Sequence, residues 1–480
     1  MSQLKQQILD LQSKSQSLEP NEAQRNAYLN KVNAYANSFL NKIETTKAFS
    51  SEKETQHVFK VTDKTKSIEE ILELYANEVV AKGINAASGG HLGYIPGGGI
   101  YTSSLADYLA DVTNEYVGMH YSCPGGVAIE HELLNWMKSI FNFPESAIGN
   151  LTSGGSIANL IALTAARDKH GIKNAVIEKS VIYTSPQVHH CIQKALRIIG
   201  LEDVQIRYLE LDVNSRIIAS DLEQKIESDK KKGLNPFVVI ASAGTTDTGA
   251  IDPLQAIGNI AKENNLWYHV DAAYGGFFIL VDKVKERFKG IEMADSLVID
   301  PHKGLFLPYG LGAVLVKDKE AVYHSNHYRA NYMQDAIDDD MPVNPADVSP
   351  ELTKHFRSLR MWLPLQLHGI EPFIACLEEK LLLTQYFREE LVKIGFKVGP
   401  EPDLSVSYFW YSTNDANENS FNEKLLKELH NDGEIFLSST LINGKFVIRM
   451  ALLSFRTKLE TIDKAIAMIE RGLTKTNQSV

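Results

Sequence analysis

Residues 294–303 read Ala-Asp-Ser-Leu-Val-Ile-Asp-Pro-His-Lys, a largely apolar run that ends in a short polar turn with a lysine. A second apolar run, at 266–270, is followed directly by Asp271. A lysine can form a Schiff base with a carbonyl cofactor, and an aspartate can keep a pyridine nitrogen protonated. The pair Asp271 and Lys303 therefore predicts that Lys303 carries pyridoxal 5′-phosphate (PLP) in an enzyme that acts on amino acids.

Short apolar runs alternate with helical stretches from about residue 93 to residue 320. They lie at 181–183, 237–240, 267–270, 297–299 and 313–316. Continuous apolar runs between helices are typical of buried parallel strands in a sheet that is covered on both faces. The predicted fold class is therefore α/β.

Composition and charge restrict the class of protein. The 480 residues carry a formal net charge of −11, which argues against a nucleic-acid or anionic-membrane surface. The three cysteines stand far apart and outside CxxC spacing, as in a reducing cytoplasm without disulfides or a zinc site. The N-terminus lacks the apolar stretch of a signal peptide, and no run of about 18 apolar residues could cross a membrane. We expect a soluble cytoplasmic protein that binds no nucleic acid, membrane or metal.

The chain divides into three predicted parts. Residues 1–92 are polar with apolar positions at helical spacing, which predicts a helical arm that lies on another domain or subunit. Residues 93–362 hold the α/β domain, with an Asp- and Pro-rich loop at about 325–355 that is either disordered or a functional lid. Residues 363–480 combine predicted helices, at 371–394 and about 460–473, with predicted strands at 405–411 and 445–453. This last part is a smaller α+β domain.

A glycine-rich segment is the candidate phosphate site. Residues 152–156 read Thr-Ser-Gly-Gly-Ser and precede an apolar helical run at 157–163. Glycines let backbone N–H groups approach an anion, and a helix start offers free donors and a favourable dipole. Gly155 and Ser156 are thus candidate phosphate ligands. A plain helix N-cap explains the same residues, and no P-loop lysine follows.

Two further segments follow predicted strands. His189 comes shortly after 181–183, where its flat ring could stack on a cofactor ring. Residues 244–249, Gly-Thr-Thr-Asp-Thr-Gly, follow 237–240 at the edge where open α/β sheets bind ligands. Taken alone, His189 could be a surface or core histidine, and 244–249 could be a polar turn. Their occurrence together with Asp271 and Lys303 favours a cofactor site.

These segments together resemble the group II PLP-dependent amino-acid decarboxylases, which include the aromatic-L-amino-acid and glutamate decarboxylases. The shared motifs are Thr-Ser-Gly-Gly-Ser, Gln-x-His, Gly-Thr-Thr, His-Val-Asp-Ala-Ala-Tyr and Asp-x-x-x-Asp-Pro-His-Lys, within a match from about His91 to Ile469. The resemblance implies fold type I, with a mostly parallel seven-stranded central sheet covered by helices, a C-terminal α+β domain and an N-terminal helical arm. It also implies a homodimer with active sites at the subunit interface.

The resemblance also implies a role for each matching residue. Lys303 would bind PLP covalently, Asp271 would keep its ring nitrogen protonated, and His189 would stack on its ring. Further cofactor contacts would come from Gly155, Ser156, Thr246, Ala273, Asp300 and His302. Arg449 would meet the substrate carboxylate, and His91 and Tyr94 would lie near the substrate. The implied reaction converts an L-amino acid, with an aromatic or hydrophobic one favoured, to the amine and carbon dioxide.

Two departures from the family pattern leave the substrate and the product open. Family members commonly carry a mobile-loop tyrosine that is thought to return a proton to the substrate α-carbon, but no tyrosine occurs between Tyr332 and Phe356. The candidate replacements are Tyr328, Tyr332, His324 and His327. Without the donor, an aldehyde synthase or a related carbon–carbon lyase stays open. A PLP-binding homologue without catalysis is a weaker alternative, because the complete set of Asp271, Lys303 and His189 argues against it. The second departure is at 90–99, Gly-His-Leu-Gly-Tyr-Ile-Pro-Gly-Gly-Gly, where aromatic decarboxylases usually have His-Pro-x-Phe-Phe.

Overall fold

The computed structural model describes residues 2–52, 54, 58–327, 343–413 and 417–478. Within these residues, seven strands form the central sheet in the order β3-β9-β8-β7-β6-β4-β5. The strands are β3 (Ile148–Thr152), β4 (Ser180–Thr184), β5 (Gln205–Tyr208), β6 (Asn235–Ser242), β7 (Trp267–Asp271), β8 (Ser296–Ile299) and β9 (Gly312–Val316). Strands β4 to β8 pair in parallel, and β9 is antiparallel to both of its neighbours, β8 and β3. The predicted mostly parallel seven-stranded α/β sheet is confirmed.

Helices cover both faces of this sheet because successive strand residues point to opposite sides. In β8, Leu297 and Ile299 enter one apolar core, while Val298 enters the other. The first core is closed by α5 (Pro124–Ile140), α8 (Ala219–Lys231), α9 (Leu254–Asn264) and α13 (Arg357–His368). The second is closed by α6 (Gly155–Lys169), α7 (Cys191–Ile198) and α12 (Lys319–Asn326). The remaining helices of this region are α4 (Tyr101–Thr113), α10 (Asp282–Lys285) and α11 (Pro301–Gly304).

A second, antiparallel sheet lies towards the C-terminus. Its order is β10-β11-β13-β12, formed by β10 (Lys397–Val398), β11 (Val406–Trp410), β12 (Ser438–Ile442) and β13 (Lys445–Ala451). The helices α14 (Glu371–Lys393), α15 (Glu418–Asp432) and α16 (Leu459–Gln478) pack on it around a separate apolar core. The predicted strands at 405–411 and 445–453 are confirmed as β11 and β13, and the predicted helices as α14 and α16.

The N-terminal part is helical, as predicted. It contains α1 (Gln3–Ser15), α2 (Glu22–Lys42) and α3 (Ile68–Tyr75), followed by a π-helical turn at Ala76–Val80 and by the short pair β1 (Phe49–Ser50) and β2 (Gly83–Ile84). Capping boxes at Asn21 and Ser67 start α2 and α3. None of the described residues of α1, α2 and α3 is buried in the single chain. Among the described residues, no helix is long and apolar enough to span a membrane.

The described part of the predicted 325–355 loop is anchored to the α/β region. Pro345–Val348 form a 3₁₀ turn, and the Asn150 side chain donates a hydrogen bond of 2.9 Å to the Pro345 carbonyl. The buried ammonium of Lys354 lies 2.8 Å from the Glu130 carboxylate. Residues 328–342 of the predicted loop, with Tyr328 and Tyr332, lie outside the described residues.

Candidate active site

A cavity of about 350 Å³ opens at the carboxyl ends of the parallel strands, the edge where open α/β sheets bind ligands. Asp271 is the last residue of β7, and Asp300 directly follows β8. Nine of the twelve predicted site residues line this cavity: Gly155, Ser156, His189, Thr246, Asp271, Ala273, Asp300, His302 and Lys303. The sheet therefore gathers residues that are up to 148 positions apart in the sequence.

Lys303 lies in the short helix α11, which Pro301 starts at its first position. The Lys303 ammonium lies 3.0 Å from the Asp300 carboxylate, one helical turn earlier. Burial acts to lower the pKa of Lys303, but the negative charges of Asp300 and Asp271 outweigh it and raise that pKa above its ordinary value. The neighbouring carboxylate of Asp300 therefore stabilises the charged form of Lys303 and holds its side chain at the cavity.

Asp271 is buried and held by fixed donors. The Asn159 side-chain amide lies 3.3 Å from one carboxylate oxygen of Asp271, and the Ala273 backbone N–H donates to the other at 3.0 Å. Hydrogen bonds that are donated to a carboxylate favour its charged form. Asp271 is thus a stationary negative charge in the cavity wall.

His189 presents a flat ring to the same cavity. Burial is the main cause that lowers the pKa of His189, and the charge of Asp271 opposes it only in part. Its Nδ1 accepts a hydrogen bond of 3.3 Å from the Cys191 backbone N–H, which places the proton of a neutral ring on Nε2. A neutral ring of this kind can lie against an aromatic cofactor.

The glycine-rich segment forms the other end of the cavity. Gly154, with a φ of +149°, precedes α6, so the N–H groups of Gly155 and Ser156 belong to the unpaired first turn of that helix. A Cβ atom at Gly155 would lie 3.0 Å from the Asp300 carboxylate and 3.3 Å from the Ala273 side chain. A glycine at position 155 therefore lets the start of α6 lie close to Asp300 and Ala273, and the free N–H groups of this helix start are donors that an anion could approach.

Three predicted substrate residues, Arg449, His91 and Tyr94, are not among the residues that line this cavity. Arg449 donates to the backbone carbonyls of Thr246, Asp247 and Tyr94 and to the Ser438 hydroxyl. It therefore holds the 244–249 loop against the segment at Tyr94. The role predicted for it, binding the substrate carboxylate, stays a prediction.

His91 is buried in an aromatic cluster. Its ring centre lies 5.5 Å from that of Phe436 and 6.1 Å from that of Tyr94. Burial lowers the pKa of His91 to about 4, so the ring is neutral at physiological pH. The Tyr94 side chain is 58% exposed in the single chain. The substrate contacts predicted for both residues stay predictions.

The described candidates for a replacement proton donor lie away from the cavity in the single chain. His324 is exposed on α12, and His327 lies 3.1 Å from the Asp347 carboxylate. Neither is among the residues that line the cavity. Tyr328 and Tyr332 lie outside the described residues.

Several cavity residues were not anticipated from the sequence. They include Asn159, Ser242 and Tyr309. Asn159 is the single polar residue in the apolar run 157–163, and His269, which contacts it, stands in the apolar run 266–270. A polar residue inside a buried apolar run needs a hydrogen-bond partner. This requirement is the signal that could have identified Asn159 and His269 from the sequence.

Comparison with known proteins identifies the family. A family model described as the pyridoxal-dependent decarboxylase conserved domain matches residues 52–412. An aromatic-L-amino-acid decarboxylase of Bacillus atrophaeus is 35% identical over 377 residues, covering 77% of this chain and 78% of that protein. A phenylacetaldehyde synthase of Arabidopsis thaliana is 30% identical over 388 residues, covering 77% and 79%. This chain therefore belongs to the pyridoxal-dependent decarboxylases, which are carboxy-lyases that use PLP.

A solved structure shows the same fold. The structure of Oryza sativa TDC with PLP and tryptamine superposes with a TM-score of 0.89 and 21% identity, and it covers 95% of this chain and 99% of that one. At this identity the likeness concerns the fold, which confirms the predicted fold type I architecture.

The residues that line the cavity fit PLP in shape and in chemistry. The bare backbone at Gly154 and Gly155 suits a phosphate at the start of a helix. At a separate point of the cavity, the clamped carboxylate of Asp271 suits a protonated ring nitrogen. The cavity also presents an amine, that of Lys303, and an amine is the group that can form a covalent link to an aldehyde carbon.

Proposed function

We propose that this chain decarboxylates an aromatic or hydrophobic L-amino acid and releases the amine and carbon dioxide. The observation that carries the proposal is the placement of Lys303, Asp271 and His189 on one cavity at the carboxyl ends of the parallel strands. The similarity to an aromatic-L-amino-acid decarboxylase supports the substrate class.

When bound, PLP supplies the electron sink for the pair that remains as carbon dioxide leaves. Asp271 keeps a negative charge at the ring nitrogen and so stabilises its protonated form. His189 covers the face of the ring with a neutral imidazole. Gly155, Ser156 and His302 hold the phosphate, with Thr246 and Ala273 as further contacts. Asp300 holds the Lys303 side chain in place through their ion pair.

The experiment is a screen of the purified PLP-loaded protein against the proteinogenic L-amino acids, with carbon dioxide and amine both measured. We expect release of carbon dioxide from at least one of phenylalanine, tyrosine and tryptophan, with an equal amount of the matching amine. Turnover confined to glutamate or aspartate would contradict the proposed substrate class.

A second candidate function is oxygen-dependent conversion of the amino acid to an aldehyde. In that reaction the amino acid, oxygen and water give the aldehyde, carbon dioxide, ammonia and hydrogen peroxide. The absence of a tyrosine between Tyr332 and Phe356 and the similarity to a phenylacetaldehyde synthase favour it. Oxygen consumption and peroxide equal to the released carbon dioxide would support this function. Amine alone, with no oxygen consumed, would exclude it.

We further propose that the chain works as a homodimer and that 1–92, 93–362 and 363–480 are its structural parts. Apolar side chains of the arm are exposed in the single chain, with Leu4 67% and Leu11 63% exposed on α1. A surface of this kind indicates a protein partner. Combined Leu4→Ser and Leu11→Ser changes should produce monomers in light scattering, whereas Val213→Ser, a change at an isolated exposed residue, should leave the dimer intact. A monomeric wild-type protein would contradict the proposal.

We also propose a cytoplasmic location. All three cysteines, Cys123, Cys191 and Cys376, are free thiols, as is usual in a reducing compartment. Fractionation of cells that produce the protein should place it with cytoplasmic markers, and recovery only with secreted proteins would contradict this location.

A further inference from the structure

A continuous chain of buried hydrogen bonds leads from Trp267 to Asp271, behind the cavity wall. The Trp267 Nε1 lies 2.8 Å from the Ser296 hydroxyl, which lies 2.8 Å from the His269 Nδ1. The His269 Nε2 lies 2.7 Å from the Asn159 side-chain carbonyl. The Asn159 amide nitrogen lies 3.3 Å from the Asp271 carboxylate. All five residues are buried.

The Asn159 end of this chain fixes the direction of its hydrogen bonds. The Asn159 amide nitrogen also lies 2.9 Å from the Gly155 backbone carbonyl, which can only accept. The Asn159 Nδ2 must therefore face Gly155 and Asp271, and its Oδ1 must face His269. It follows that the His269 Nε2 carries a proton.

The Trp267 end is consistent with the same direction. An indole N–H can only donate, so the Ser296 oxygen accepts from Trp267. The Ser296 hydroxyl proton is then free to point at the His269 Nδ1. In the reverse arrangement, with a proton on Nδ1, the buried Ser296 hydroxyl would have to find another acceptor, at a cost in free energy. Each bond in the chain thus donates towards Asp271.

This series of hydrogen bonds from Trp267 to Asp271 places donors at the Asp271 carboxylate but adds no positive charge. His269 is completely buried, and this burial lowers its pKa to about 4 although the charge of Asp271 opposes the shift. A neutral His269 adds no positive charge behind Asp271 that would offset the negative charge of this carboxylate. That charge is then available to a cation in the cavity.

We propose that Asn159, His269, Ser296 and Trp267 are positioning residues that hold Asp271 as a charged, correctly oriented acceptor for the PLP ring nitrogen. Asn159 has a second effect, because its amide also bonds to Gly155 in the candidate phosphate segment. One side chain thus sets the position of both ends of the cofactor site. This inference rests on the proposed role of Asp271.

The test is the ¹⁵N chemical shift of the ring nitrogen of labelled PLP bound to the wild type, His269→Leu and His269→Gln. Wild-type protein should show a protonated ring nitrogen. In His269→Leu, which removes the donor to Asn159, we expect a shift towards the neutral pyridine. His269→Gln retains a donor at that position and should restore most of the protonated signal.

Affinity for the cofactor gives a second readout. Comparing PLP with an analogue that lacks the ring nitrogen separates a specific loss of the ring contact from a general loss of folded structure. We expect PLP to bind about tenfold more weakly to Ser296→Ala and Trp267→Phe and up to about a hundredfold more weakly to His269→Leu, since each leaves buried polar groups unpaired. An analogue with carbon in place of the ring nitrogen should bind the variants and the wild type within about threefold. Loss of affinity for both compounds alike would overturn the inference.

The matched control is His170→Leu. His170 is another histidine whose pKa is lowered by burial, and its ring contacts Phe237 rather than any member of this chain. It should leave both readouts unchanged. A neutral ring nitrogen in the wild type would contradict the proposed role of Asp271 itself. A protonated ring nitrogen that is unchanged in His269→Leu would overturn only the inference about His269 and its partners.

Discussion

The region around Lys303 and the region around Arg449 differ in where their polar groups point. The same family resemblance assigned a role to residues in both regions. At Lys303, the side chains of Asp271, Asp300 and His189 line one cavity. At Arg449, the guanidinium donates hydrogen bonds to backbone carbonyls, including those of Thr246 and Tyr94.

The difference follows from the sheets that carry the two regions. The residues at Lys303 sit at or just beyond the ends of strands at one edge of the parallel sheet, so the fold brings them together. Arg449 lies on β13 of the smaller sheet and donates to the backbone carbonyl of Thr246, a residue that lines the cavity. We infer that the Lys303 region carries the chemistry and that the Arg449 region, in the single chain, supports the loop that carries Thr246.

The largest effect that tests this comparison is expected for Lys303→Ala. If Lys303 binds PLP covalently, loss of its amine should lower kcat by roughly three orders of magnitude or more, at the upper end of what a positioned acid or base contributes. The measurement is steady-state carbon dioxide release with saturating PLP. The control is Lys169→Ala, which removes a surface lysine that is paired with Asp318 and should keep full activity. Near-normal turnover by Lys303→Ala would contradict the assigned role.

The next largest effect is expected for Asp271→Asn. A neutral amide cannot hold the ring nitrogen protonated, so kcat should fall by about 10²–10³, on the scale of one preorganised electrostatic contact. The visible spectrum of the bound cofactor should change as well. Asp203→Asn, which removes a carboxylate that does not line the cavity, serves as the control. Equal kcat values for the two variants would show that Asp271 is not the partner of the ring.

The next prediction concerns His91, which packs on Tyr94 next to Arg449. Its burial should make the free energy of unfolding depend on pH. Its folded pKa of about 4 lies below the unfolded value of 6.5. The free energy of unfolding therefore includes the full contribution of neutral His91 above pH 6.5. This contribution is lost as the pH falls towards 4, by about 3 kcal/mol at most. Urea unfolding between pH 7 and pH 4 should show a smaller decrease for His91→Phe than for the wild type.

The control for this measurement is His368→Phe, at an exposed histidine at the end of α13. It should retain the wild-type pH dependence. If His91→Phe also retained the wild-type pH dependence, burial of His91 would not be the source of that pH dependence.

The smallest effect is expected for Arg449→Gln. If Arg449 acts through the 244–249 loop, the variant should bind PLP about tenfold more weakly, as expected for a few lost hydrogen bonds, and KM should change little at saturating PLP. Arg388→Gln is a matched control, because Arg388 also binds a backbone carbonyl of the small domain, that of Gly399. A raised KM with unchanged PLP affinity would instead favour the predicted contact with the substrate carboxylate.

The sequence predicted those parts of the fold that have a strong local signal. The apolar runs of β4, β6, β7, β8 and β9 were identified, whereas β3, with Gly149 and Asn150, and β5, a half-exposed edge strand, were not. These two strands lack the continuous apolar character of a central strand, and their pairing depends on neighbours that are distant in the sequence.

The candidate site was predictable to the extent that its residues lie in recognisable loops after strands. Asn159 and His269 were given no role because both lie within apolar runs and acquire a role only through their contact with each other. The hydrogen bonds of Arg449 could not be predicted either, since they join residues about 200 and 355 positions apart. Such contacts follow from the packing of the two sheets and not from any local pattern.

The central claim, that Lys303 holds PLP beside Asp271, can be tested most directly by borohydride reduction of the purified PLP-loaded protein and peptide mass spectrometry. Reduction should bleach the visible cofactor band and leave one pyridoxyl group per chain, on the peptide that contains Lys303. A pyridoxyl group on another lysine, or no covalently bound cofactor at all, would contradict the account.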